Sequence, residues 1–325
     1  MVDFRYHLVS IIAVFLALAV GIVLGATTLK APLIENLDNR VSSISKDRDA
    51  LRTGNDLLTK RVADQTKFAK AVLPIAVAGR LRDERIVIVS TPDSASDVRN
   101  AAVDALVAAG ATIAGRLSLT KKFFDPVQAQ ALESVAQQAA SNSVVVPGTP
   151  LQHAANQLAI AVATPTRSPA PPAGGNAETK RVLSLYQDAA LVTIDGDIPV
   201  RSSIVVVVAP LPPKADALGR DDQIRGANEV ISALARQATA VVAVTPTGGA
   251  APGGVLSSLR RDQNLATRVS SVDDADTPSG QTALVLSVVE RIRAYGNAAG
   301  GHQAAGQYGE GPGADKPLPD LADVS

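Results

Sequence analysis

Residues 8–29 read LVSIIAVFLALAVGIVLGATTL, 22 residues without a charged side chain. As a helix, such a run crosses the roughly 30 Å hydrocarbon core of a bilayer. It therefore predicts an apolar rod to which the rest of the chain is attached. His7 and Lys30 bracket it. A secretory signal peptide competes with this reading, because Gly25, Ala26 and Thr27 offer small residues near a cleavage point. Signal cores are shorter, about 7–15 residues, and follow a stronger basic leader. The plain alternative is a buried helix of a soluble domain, but such helices rarely stay apolar on every face for about six turns. An uncleaved single-pass anchor over residues 1–30, with the lipid bilayer as its partner, is the expectation. The amino terminus and Arg5 precede the run, opposed by Asp3, while Lys30 and Arg40 after it are balanced by Glu35 and Asp38. That slight positive excess puts the N-terminus in the cytoplasm and the body outside.

A heptad register begins just beyond the anchor. Ile34, Val41, Arg48, Asn55 and Val62 share one seam position, and Leu37, Ile44, Leu51, Leu58 and Gln65 the other. Alternating steps of three and four keep both sets on one stripe of a helix. β-Branched residues at the first position with leucine at the second favour two parallel strands, and a seam asparagine fixes register. The expected seam is Leu37, Val41, Ile44, Leu51, Asn55 and Leu58 of a parallel homodimer, within a stalk over residues 31–78 that Pro74 and Gly79 end. Arg48, Gly54 and Asn55 weaken the seam, so an amphipathic helix folded back on its own domain competes with it.

Residues 79–295 alternate between apolar runs and helical patterns. Strands are expected at 85–90, 111–114, 143–146, 190–194, 203–209, 240–244 and 269–272. Helices are expected at 96–109, 126–140, 151–163, 221–237 and 279–295, with a short one after the Gly/Pro loop at 245–254. Continuous Val/Ile runs are the pattern of strands buried on both faces. The fold class expected is α/β: an N-terminal transmembrane helix and coiled coil, then a Rossmann- or flavodoxin-like parallel sheet. Residues 164–176, TPTRSPAPPAGGN, read as a mobile Pro/Gly insertion, and residues 296–325 as a disordered tail.

Composition narrows the function. The 31 basic and 31 acidic residues cancel, and only 3% of residues are aromatic, with no tryptophan. Nucleic acid is not an expected partner, since neither a basic surface nor stacking rings are supplied. Cysteine is absent, which excludes disulfides, thiolate catalysis and cysteine-ligated metals. The three histidines, His7, His153 and His302, lie far apart in the chain. No serine sits in a nucleophile elbow, and the loop TPTGGAAPGG at 245–254 matches neither phosphate-binding glycine pattern. It reads more simply as a strand-to-helix turn. No cofactor and no enzymatic activity are expected, and no metal ligands are assigned.

Ligands of parallel sheets bind beyond the carboxyl ends of the strands. Asp93, in the loop after the first strand, and Asp273, Asp274 and Asp276, after the last, would share that edge. Three adjacent carboxylates could hold a hard cation such as magnesium. Helix capping by Asp276 or Thr277, ahead of Pro278, explains them as well.

The opening VDFRYHLVSIIAVFLALAVGIVLG, the segment VDDADTPSG at 272–280 and GQYG at 306–309 together resemble the actinobacterial MctB family. The likeness follows the whole chain in order: anchor, heptads, α/β body and glycine-rich tail. It implies copper transport or copper homeostasis at the cell envelope. The residues add little to that chemistry, since copper(I) prefers sulfur ligands and copper(II) imidazole. One apolar helix does not make a pore, and no series of alternating membrane strands is present. If copper passes, the expectation is that the chain supports a partner or pore assembly rather than coordinating the ion tightly. The alternative is an envelope scaffold, a dimeric stalk presenting an α/β recognition domain to cell-wall or division proteins.

Overall fold

The computed structural model describes residues 4–140, 147–165, 175–197, 200–214, 219–296 and 305–320. The chain divides into two compact units, Met1–Gln65 and Thr66–Ser325. Helix α1 (Phe4–Val77) is unbroken from the apolar run through the heptads. Its stretch Tyr6–Gly25 is long and apolar enough to cross a membrane, and none of it is buried within the chain. Pro74 does not end the helix as expected; it lies in the last turn, and Gly79, with φ +70°, follows the final helical residue by two.

The second unit is a mixed α/β domain around a seven-stranded sheet. Its strands are β1 (Arg85–Ser90), β2 (Thr112–Leu119), β3 (Val192–Asp195), β4 (Ile204–Val208), β5 (Ala240–Val244), β6 (Ser270–Val272) and β7 (Gln307–Tyr308). They are ordered β3-β2-β1-β4-β5-β6-β7, and every pairing is parallel except that of β2 with β3. The sequence reading had all strands in a parallel sheet. Strand β3 instead returns on the outer edge of β2 and runs against it, with Arg116 opposite Asp195.

Helices cover both faces because the strands present apolar side chains on both. Ile86, Ile88, Val206, Val208, Val242 and Val272 point to one face, together with α2 (Ser96–Ala108), α9 (Pro278–Gly296) and Leu73 and Val77 at the end of α1. Val87, Val89, Val205, Val207, Val241 and Ala243 point to the other. There they meet α3 (Ala129–Ala139), α4 (Pro150–Val162), α5 (Gly175–Asp188), α6 (Arg220–Gln237) and α7 (Val255–Arg261), with α8 (Gln263–Ala266) following α7. Period-2 alternation along a strand produces this division directly. Helix α2 shows the matching helical period, with Val98, Ala102, Ala105 and Leu106 buried, and Gly110 ends it at φ +94°.

Two expected elements change. Helix α5 occupies residues the sequence reading left without structure, and β7 lies inside the tail expected to be disordered. Two residues carry no periodic signal, and β7 is ordered by pairing with β6, Ser271 with Gln307 and Val272 with Tyr308. The strand expected at 143–146 and residues 166–174 of the Pro/Gly segment lie outside the described residues.

Candidate acidic site at the end of strand β6

The carboxyl edge of β6 carries Asp273, Asp274 and Asp276, and each has a different environment. Asp273 is 2% exposed and pairs with Arg260 of α7, 4% exposed, at 2.7 Å from Nη1 to Oδ2. Its Oδ1 accepts from the backbone N–H groups of Glu310 and Gly311, at 2.9 and 3.0 Å. Arg260 is equally engaged: Nε donates to Ser271 Oγ at 2.8 Å, Nη2 to the Tyr308 carbonyl at 2.8 Å, and Nη1 also to the Pro312 carbonyl at 3.0 Å. Taking both ions out of water is tolerable only with such complete hydrogen bonding. The pair therefore serves as a clamp on residues 307–312.

Gln307 extends the clamp. Its Oε1 accepts from Ser271 Oγ at 2.6 Å, and its Nε2 donates to the carbonyls of Ala266 and Val269 at 3.0 and 3.1 Å. Its backbone N–H donates to Asp315 Oδ2 at 3.1 Å. Gly309 adopts φ +122°, and a Cβ there would overlap the Asp273 carboxylate. On the other sheet face the Tyr308 hydroxyl donates to Glu290 Oε2 of α9 at 2.7 Å, deep in the core. Burial lowers the pKa of the adjacent Arg291, against the opposing pull of Glu290 and Tyr308.

Asp274 is 4% exposed. Its Oδ2 accepts from Thr277 Oγ1 at 3.2 Å, while Oδ1 is buried without a hydrogen-bond partner among the described residues. Burial, reinforced by the negative charge of Asp273, pushes its pKa up to about 6. Asp276 turns toward the Gly/Pro loop, where its Oδ1 accepts from the backbone N–H and the hydroxyl of Thr247 at 2.7 and 2.9 Å. Thr277, not Asp276, caps α9, its Oγ1 accepting from the Gly280 N–H at 3.1 Å. Among the described residues, no three His, Cys, Asp or Glu side chains come together as metal ligands.

Asp93 follows β1 on the same carboxyl edge, as expected of parallel strands, but does not adjoin the β6 aspartates. β4 and β5 separate β1 from β6, and Asp93 instead pairs with Lys121 at 2.9 Å on the exposed surface. Of the residues expected to form a dimer seam, Val41, Ile44, Leu51, Asn55 and Leu58 are exposed on α1, and Leu37 lies in the same helix. Sequence reading missed Arg260 and Gln307. It also missed a cleft of about 490 Å³ between α3, α4 and α6. There His153 Nδ1 lies 2.7 Å from Glu133 Oε2, which lowers the Glu133 pKa, and Gln152 Nε2 donates to Glu229 at 3.1 Å.

The clamp brings VDDADTPSG against GQYG, the two C-terminal segments of the family likeness. Across residues 1–319 the chain matches the family model described as "Copper transport outer membrane protein, MctB". The chain belongs to the MctB family. Proteins named Copper transporter MctB from Mycobacterium tuberculosis (strain H37Rv) and Mycobacterium bovis are each 29% identical to it over 325 residues, covering 97% of this chain and 98% of the relative. The protein of that name from Mycobacterium leprae is 28% identical over 327 residues, with the same coverage. The MctB match thus includes the apolar helix, the sheet and the clamped tail as one continuous unit of sequence.

Proposed function

We propose that this protein acts in copper transport or copper homeostasis as a single-pass membrane protein without enzymatic chemistry of its own. The observation that carries the reading is the MctB match over residues 1–319, with relatives named as copper transporters aligned almost end to end. The apolar stretch Tyr6–Gly25 supports a membrane attachment, and the charges flanking it favour the N-terminus in the cytoplasm and the body outside.

In this reading residues 1–30 are the anchor, 31–78 a coiled-coil stalk and 79–295 an α/β body. The body is flavodoxin-like: β2-β1-β4-β5-β6 follow the order 2-1-3-4-5 of doubly wound sheets, with β3 and β7 added at the edges. One helix per chain attaches but does not make a channel, so the copper path belongs to an assembly in which this chain takes part. The absence of cysteine argues against a tight copper(I) site in the chain itself.

Deleting the gene and measuring intracellular copper tests the proposal. Altered copper content, restored by the full chain, is the expected result. Unchanged copper with altered wall morphology would overturn it in favour of an envelope scaffold.

A further inference from the structure

We infer that α1 pairs with a second copy of this chain as a parallel, in-register two-stranded coiled coil. Val41, Ile44, Leu51 and Leu58 are 58, 66, 75 and 59% exposed, although they repeat at the spacing of a buried seam. An apolar stripe of this length facing water marks an interaction surface. Its chemistry specifies the occupant. In a parallel pair each seam side chain enters a hole made by four residues of the facing helix. A groove on α1 is lined by Ile44, Asp47, Arg48, Leu51, Arg52 and Asn55. Arg48, Leu51, Arg52 and Asn55 are the four residues that receive Leu51 of the partner subunit. Ile44, Asp47, Arg48 and Leu51 are the four that receive Arg48 of the partner subunit. Two consecutive holes of one such seam are thus present together.

The flanking charges fix the direction. Asp47 and Arg52 are five residues apart, the separation at which flanking positions meet across a parallel pair. Asp47 then faces Arg52 of the partner subunit, and the symmetry of the pair makes this contact twice. Asn55 meets Asn55 of the partner subunit only when the helices are parallel and in register. Arg48, the weakest seam residue, already pairs with its neighbour Asp49 at 3.0 Å, which offsets its charge and leaves its methylene stem to cover the seam.

The chain has no cysteine, so a single introduced one reports proximity without background. Full-length protein in native membranes is oxidised mildly with Leu51→Cys, at the seam, or Thr53→Cys, on the outer face. The expected result is a covalent dimer from Leu51→Cys and none from Thr53→Cys. No cross-link from Leu51→Cys, or equal cross-linking from both, would overturn the inference. As a second reading, Asp47→Arg in the Leu51→Cys background should lower dimer yield about fivefold, and adding Arg52→Asp should restore it. Equal yields in all three would show that these charges do not set the pairing.

Discussion

The two units of this protein place their apolar side chains in opposite ways. In the body, leucine, valine and isoleucine side chains vanish between sheet and helices: Leu106, Leu256 and all five residues of β4 are fully buried. In the N-terminal unit the same residue types face outward, and Leu51 is 75% exposed. The buried polar groups differ in parallel. The body holds an ion pair, Arg260 with Asp273, satisfied by neighbouring residues of the same chain, whereas Arg48 and Asp49 of the rod meet in the open. A domain of this kind is complete as one chain. A rod of this kind leaves its apolar side chains uncovered by its own chain, which is why we propose lipid and a second copy as their surroundings.

The largest expected effect breaks the body's self-sufficiency. Arg260→Met leaves the Asp273 carboxylate buried and unpaired, which should cost about 3–5 kcal/mol of unfolding free energy. Chemical denaturation followed by circular dichroism reads this. Arg48→Met in the rod should leave the body's transition unmoved. Next, Leu106→Ala should destabilise the body by about 2–5 kcal/mol. Leu51→Ala should not alter that transition but should weaken self-association, measured by the mass of the full chain in detergent micelles.

A smaller loss is expected from Gly309→Ala, where a Cβ meets the Asp273 carboxylate at a left-handed φ. About 1–3 kcal/mol follows, with faster proteolysis near residue 309. Asp274 gives the finest test. Its pKa is raised to about 6 in the folded body from an ordinary value of 3.8. The sign follows from proton binding: the folded state holds its proton where the unfolded state has lost it. The contribution of Asp274 to stability is therefore fully present below pH 4 and lost as pH rises through 6. Asp274→Asn should flatten stability between pH 4 and 6 and raise it above pH 6 relative to the native chain, by on the order of 1 kcal/mol. A thermal-unfolding series across that range shows it.

Much of this organisation was legible in the residues. The unbroken apolar run gave the apolar stretch of α1, and the Val/Ile runs gave β1, β4 and β5, because burial on both faces removes polar alternation. Strand β7 was not legible: Gln307 and Tyr308 stand among glycines and prolines, and their order comes from Ala266, Val269, Ser271 and Glu290, all distant in sequence. Asp273, Asp274 and Asp276 were found because they follow a strand end. Asp93 shares their carboxyl edge, as parallel strands require, but its distance along that edge was not legible, because strand order is not written in local pattern and β4 and β5 intervene. Arg260 gave no signal, since an arginine on a short helix looks like any surface cation until its partner is placed 13 residues later.

Whether copper handling depends on the anchored form of this chain can be measured in a strain lacking the gene. The strain is complemented with the native chain or with one carrying Val14→Arg and Leu18→Arg. Each arginine at the helix centre opposes insertion by about 2.5–3.5 kcal/mol and leaves the body's core untouched. With equal amounts of both proteins verified, the native chain is expected to restore intracellular copper to the parental level and the unanchored chain to leave it altered. Equal restoration by both chains would contradict a membrane-anchored role in copper handling.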